Sequence, residues 1–130
     1  MSALDKIKEP ITKDIIEFQS EFKLALNSEV KMINSISGYL VKNRGKTIRP
    51  ILTLLCSRLC GEPTSFSYKA AAMMELLHVA TLIHDDIVDD AKMRRGKPST
   101  HIKFGESTAV LAGNSLQTMA CEILTSKYLK

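Results

Sequence analysis

The stretch AAAMMELLHVATLIHDDIVDDAKMRRGKPSTH, residues 70–101, decides how the rest of the chain folds. Its first part, Ala70 to Ile83, is apolar on nearly every helical face, interrupted by Glu75 and His78. A helix of that kind has to be central and buried. Neither Gly nor Pro stands between Phe66 and Met93, so the pattern predicts one helix of roughly 25 residues, about 40 Å long. Four aspartates then follow directly on the apolar run. Residues four apart share a helical face, so Asp85 pairs with Asp89 and Asp86 with Asp90, the two pairs rotated by roughly 100°. Like charges at that spacing repel, and a divalent cation would neutralise them. Oxygen ligands with no cysteine or histidine pair nearby favour a hard ion such as Mg²⁺, which completes its shell with water and phosphate oxygens.

The plainer reading of an aspartate cluster is a solvated surface. Three features stand against it here. The cluster lies where a buried helix emerges, the sign of charge reverses abruptly in Arg94-Arg95-Gly96-Lys97-Pro98, and Gly96 and Pro98 break the helix at that reversal. A metal site facing a phosphate site needs that arrangement. His78, a lone histidine in an apolar run, is more often a satisfied core residue than a functional one.

Outward from this stretch, the chain reads as helices. Pro10 suits a first helical turn, and Ile11, Ile15, Phe18, Phe22 and Leu26 recur behind it at three- and four-residue spacing. Asn27-Ser28 offers a cap for a second helix from Val30 to about Val41. Asn43 to Pro50 is a basic loop around Gly45, Lys46 and Arg49, and Pro50 opens a third helix that Gly61 closes. After the central helix, a loop from Arg94 to Gly105 leads to a last helix from Glu106 to about Lys127. No segment alternates with strand period, and no repeat or linker divides the chain. The expectation is a single all-α domain.

Composition bounds the function. With 130 residues, 45% apolar content and mean hydropathy of −0.01, the chain can bury a core. It holds no apolar run near the ~18 residues of a membrane span. Asp5 and Glu9 stand where a signal segment would be apolar, so a cytoplasmic location is expected. Cys56, Cys60 and Cys121 are an odd number without a secretory signal, which favours buried free thiols over disulfides or zinc. The net charge of +4 is unevenly spread: nine basic and six acidic groups in residues 1–50, two and six in 51–91, seven and two in 92–130. An acidic centre and 5% aromatic content do not suit a nucleic-acid binder.

Two motifs, Gly45-Lys46-x-x-Arg49-Pro50 and Asp85-Asp86-x-x-Asp89 followed by Arg94-Arg95-Gly96-x-Pro98-x-x-His101, resemble those of the trans-prenyltransferases, the polyprenyl diphosphate synthases. The similarity continues through Glu75-Leu76-Leu77-His78 and Phe104-Gly105. The resemblance implies the N-terminal portion of an all-α isoprenoid synthase-type bundle. It implies Mg²⁺ on Asp85 and Asp89, with Asp86 and Asp90 as supporting charge. It further implies an isopentenyl diphosphate site of Lys46, Arg49, His78 and Arg95, and an allylic diphosphate contact at Arg94. The implied reaction is loss of diphosphate to an allylic cation, attack by the isopentenyl double bond and proton loss.

The chain departs from the family pattern in carrying no second aspartate-rich motif, which in that family lies in a C-terminal half. Asn114 also stands where an aspartate is common. Three readings follow: a synthase portion inactive without its C-terminal half, a non-catalytic or regulatory subunit of a heteromeric synthase, or an unrelated basic helical module. A homodimer or a partner chain is expected to cover apolar surface that so few helices leave open. Small residues at Ala80 and Thr81, one turn deeper than Asp85, would let a growing hydrocarbon tail pass and favour a medium or long product.

Overall fold

The computed structural model describes residues 1–126. The elements are α1 (Ala3–Lys8), a 3-10 turn (Glu9–Ile11), α2 (Thr12–Leu26), α3 (Lys31–Lys42), α4 (Ile48–Cys60), α5 (Ser65–Val88), β1 (Met93–Arg94), β2 (Lys97–Pro98), α6 (Thr100–Phe104) and α7 (Glu106–Ser126). This is the expected all-α bundle, with α5 as its axis. The last helix is described to Ser126, and the expected end near Lys127 lies outside the described residues. Among the described residues no helix is long and apolar enough to cross a membrane.

The core forms where apolar stripes meet. Ile11, Phe18, Phe22 and Leu26 face Ile51 and Leu54 of α4 and Ala71, Ala72, Leu76, Ala80 and Ile83 of α5. Small residues bring α5 and α7 close. Ala109, Ala112 and Ala120 of α7 are buried, and a Cβ placed on Gly113 would overlap the His84 imidazole. His84 also bonds the Val110 carbonyl through Nε2 at 3.2 Å. A second, polar tie joins α2, α4 and α5 at the other end of the bundle. Asp14, 1% exposed, accepts from Arg58 Nε at 2.8 Å, Arg58 Nη2 at 3.1 Å and Tyr68 Oη at 3.0 Å. Arg58 Nη1 also donates to Glu62 Oε2 at 2.9 Å.

Several boundaries differ from the sequence reading. A short helix, α1, precedes Pro10, held by a capping box between Ser2 and Asp5. The third helix begins two residues before Pro50, because Thr47 takes a left-handed φ of 53° and Pro50 still falls in the first turn. The central helix ends at Val88, not Met93. Asp90 turns left-handed (φ 51°), its N–H bonds Ile87 O at 3.2 Å, and the Ala91 N–H reaches back to Asp86 O at 2.9 Å. That is a Schellman end built on Asp where Gly is usual. Asp90 is therefore off the helix, and the Asp86/Asp90 helical pair does not form.

The expected loop after it holds structure as well. Met93 pairs with Pro98 and Arg94 with Lys97 across a two-residue turn, Arg95-Gly96, with φ of 51° and 76°. Positive φ at both central residues is the turn whose twist matches a hairpin. The short helix α6 follows. Tyr39 of α3 donates to Pro98 O at 2.5 Å and meets the Phe104 ring edge-on at 5.5 Å, pinning hairpin and α6 to α3.

Two burial expectations are corrected. All three cysteines are exposed, because no element covers the outer faces of α4 and α7 that carry them. Nor is α5 enclosed all round. Met74, Thr81, Asp85 and Val88 open one side of it, with Val88 82% exposed. Leu59 (88%) and Leu111 (64%) are also exposed, on α4 and α7, so the bundle presents the uncovered apolar surface expected.

Candidate active site

A cleft of about 640 Å³ opens between the C-terminal half of α5, the loop before α4 and the β1–β2 hairpin. Its inner wall is α5: Glu75, His78, Val79, Leu82, Ile83 and Asp86 recur at three- and four-residue spacing and so share one side of the helix. Opposite stand Arg44, Gly45, Lys46 and Arg49, and from the hairpin come Arg94, Arg95 and Lys97. Basic side chains from segments more than 40 residues apart thus converge on one helix face.

The expected residues are positioned as follows. Arg49 Nη1 lies 3.1 Å from His78 Nε2. An arginine only donates, so Nε2 accepts and the imidazole is neutral. Burial, then Arg49, Arg95 and Arg94 in that order, pushes the His78 pKa below its usual value, in agreement. Lys46 is exposed on the cleft rim. The Arg95 guanidinium packs against Gly45, where any Cβ would overlap it, and Nη1 donates to Asn43 O at 3.4 Å. The glycine in Gly45-Lys46-x-x-Arg49 thus makes room for a cation from the other motif.

Arg94 is bound within the protein. Its Nε and Nη2 donate to Asp86 Oδ2 and Oδ1 at 2.8 and 2.6 Å, a forked pair with Asp86 only 5% exposed. The Asp86 bond raises the Arg94 pKa above its usual value. Asp86 therefore anchors Arg94, and the guanidinium keeps three of its five N–H groups for anything else.

Asp85 and Asp89 sit in the last turn and cap of α5, exposed, and outside the lining of the cleft. Neither carboxylate accepts a hydrogen bond or joins an ion pair among the described residues. Asp90 instead pairs with Lys92 at 2.7 Å. Two unpartnered carboxylates one turn apart fit an oxygen-liganded Mg²⁺ that draws its other ligands from water and phosphate. They do not make a closed site, and among the described residues no group of three or more His, Cys, Asp or Glu is arranged to hold a metal ion.

Two cleft residues escaped the sequence reading. Glu75, 3% exposed, leaves Oε2 buried without a partner, and burial raises its pKa above the usual carboxylate value. Arg44 covers the Phe22 and Phe18 rings at 5.1 and 5.8 Å, and burial lowers its pKa, with Glu75 opposing. The available signals were a charged residue interrupting an apolar helix one turn before His78, and a second cation beside Gly45. Of the two positions expected beneath Asp85, Thr81 is exposed on the same side, whereas Ala80 is wholly buried in the core.

The polyprenyl synthetase family matches residues 30–129. Octaprenyl diphosphate synthase of Escherichia coli (strain K12) is 38% identical over 123 residues, 95% of this chain and 38% of the relative. Geranylgeranyl diphosphate synthase of Saccharolobus solfataricus is 42% identical over 99 residues, 76% of this chain and 30% of the relative. In structure, a polyprenyl synthase from Caulobacter crescentus CB15, complexed with calcium and isoprenyl diphosphate, superposes with a TM-score of 0.90 at 31% identity, covering 95% of this chain and 38% of that one. The chain thus spans well under half the length of the relatives it matches. Fold, motif and family agree across both sides of the cleft, and the chain belongs to the polyprenyl synthetase family.

Proposed function

We propose that the chain is the N-terminal portion of a prenyltransferase domain, working in the cytoplasm, that condenses isopentenyl diphosphate with an allylic diphosphate, in the presence of Mg²⁺, to give a polyprenyl diphosphate. The observation that carries this is the convergence of Lys46, Arg49, His78, Arg94 and Arg95 on one cleft, beside the unpartnered Asp85 and Asp89 on the same helix.

In this reading Lys46, Arg49, His78 and Arg95 hold the diphosphate of isopentenyl diphosphate. Arginine contributes its planar fork and lysine a point charge. Neutral His78 orients Arg49. Arg94, aimed by Asp86, turns its remaining donors to the allylic diphosphate. Asp85 and Asp89 would hold Mg²⁺, which supplies charge neutralisation for the departing diphosphate. Departure leaves an allylic cation, the isopentenyl double bond attacks it, and a proton is lost. Fixed cations aimed at the leaving group stabilise its growing charge without reorganising. Val79, Leu82 and Ile83 give the cleft an apolar wall that keeps water from the cation.

The chain covers 38% of the octaprenyl diphosphate synthase it matches and carries no second aspartate-rich motif, so in this reading turnover requires chain beyond these residues, from the same protein, a second copy or a partner. The bare Leu59 and Leu111 favour one further reading, a non-catalytic or regulatory subunit whose partner covers them. Turnover of isopentenyl diphosphate with geranyl diphosphate separates the two. The expected result is none for the 130-residue chain alone and turnover once a C-terminal half is added. Diphosphate binding that never becomes turnover with that half present supports the subunit reading.

A further inference from the structure

Glu75 is the acidic residue of the cleft lining to which the reading above gives no task. It lies one helical turn before His78, is 3% exposed, and presents a buried Oε2 that accepts no hydrogen bond. Buried oxygens are nearly always satisfied, so an orphan on the wall of a cleft calls for a reason. No cation stands within ion-pair distance of it among the described residues. Three guanidiniums of the same cleft nevertheless draw its pKa down: Arg44 of the loop after α3, Arg49 of α4 and Arg95 of the hairpin. Along its own helix are neutral His78 and Asp86, the latter engaged with Arg94. Lys46 and Lys97 complete the charged lining.

The empty cleft therefore balances two opposed effects. Burial raises the Glu75 pKa, and Arg44, Arg49 and Arg95 pull it back. A diphosphate among those guanidiniums would spend their field on itself and add negative charge beside the carboxylate. Burial would then stand unopposed. We propose that Glu75 takes up one proton from solvent when a diphosphate group occupies the cleft. It serves the empty site as counter-charge to the guanidiniums and the occupied site as a neutral acid. The inference rests on reading the cleft as a diphosphate site. The sign follows from linkage: occupancy raises the carboxyl pKa, so uptake occurs where the pH lies above the empty-site value and below the occupied-site value. There binding weakens as pH rises, by at most about tenfold per pH unit for one proton. His78, held low by burial and by Arg49, Arg95 and Arg94, is the competing acceptor.

The test is calorimetry of isopentenyl diphosphate binding to the full-length protein, without Mg²⁺, in buffers of different ionisation enthalpy, which counts protons taken up per ligand. Ionisation of the ligand itself is common to all variants and cancels in the difference. Wild type is expected to exceed Glu75→Gln by up to about one proton per ligand, with His78→Asn keeping that excess. Infrared difference spectra of wild type should gain a protonated-carboxyl band on binding, which Glu75→Gln lacks. Equal proton counts in wild type and Glu75→Gln, loss of the excess in His78→Asn, or no carboxyl band would each overturn the proposal. Wild type failing to bind the ligand overturns the diphosphate reading as well, whereas binding with an unchanged count overturns the Glu75 role alone.

Discussion

Two charged assemblies sit on opposite parts of this bundle, and they are built to different rules. Around Asp14 the charges close on one another: both carboxylate oxygens are occupied by Arg58, Tyr68 adds a third bond, and Glu62 takes one more N–H of Arg58. Around the cleft, Lys46, Arg49 and Arg95 form no ion pair among the described residues, while Asp85 and Asp89 go unpaired at the end of α5. Folding alone rewards the first arrangement, because charges taken from water need partners. The second makes sense only if something outside the chain supplies the missing charge. Asp86–Arg94 stands between them, a closed pair in the wall of an open site that aims one cation for the ligand.

The contrast predicts that mutations in the two regions fail differently. The largest effect belongs to the closed assembly. Asp14→Ala deprives Tyr68 and Arg58 of their acceptor and should destabilise by about 3 kcal/mol, the low end for a broken buried pair, since the Arg58 side chain is 35% exposed and can rehydrate. Urea unfolding measures this. Diphosphate affinity per folded molecule should not change, and if it falls, the two regions are coupled and the contrast breaks.

A smaller loss is expected at the open assembly, and in binding. Arg49→Lys keeps the charge but loses the fork and the bond to His78. It should cost about 1.5–3 kcal/mol, roughly ten- to a hundred-fold in isopentenyl diphosphate affinity by calorimetry, with an unaltered unfolding midpoint. A silent substitution excludes forked phosphate recognition there.

How much of this was legible in the sequence depends on range. The α5 axis, the amphipathic faces of α2, α4 and α7, and the two motifs are local patterns that packing had no reason to override. The end of α5 was not legible, since it turns on Asp90 adopting a left-handed conformation with no Gly or Pro to announce it. The hairpin has strands of two residues each, too short for any alternation. The exposure of the cysteines was not legible either, because an odd count without a secretory signal argues against disulfides but does not say which helix faces are covered. In the site, the cations of both motifs could be named, but not their partners. That Asp86 takes Arg94, that Gly45 admits Arg95 and that Glu75 shares a cleft with Arg44, Arg49 and Arg95 follow from how distant segments meet.

The smallest expected effect sharpens the open side of α5. Thr81 is exposed one turn below Asp85, whereas Ala80 is core, so only Thr81→Phe tests whether a hydrocarbon tail descends this face. In an assembled active enzyme, chromatography of the products should show a shift to shorter chains with little change in substrate affinity. An unchanged product length in an active Thr81→Phe enzyme means that the tail runs elsewhere.

The central claim, that unpaired charge here marks a ligand site, is tested most directly by the Mg²⁺ dependence of allylic diphosphate binding. Calorimetry with geranyl diphosphate, with and without Mg²⁺, should show that wild type and Asp90→Ala gain affinity from the metal. Asp85→Ala and Asp89→Ala should each lose that gain. If either of these two binds geranyl diphosphate with unaltered Mg²⁺ dependence, the exposed carboxylates at the end of α5 are not the metal's ligands and the account fails at its centre.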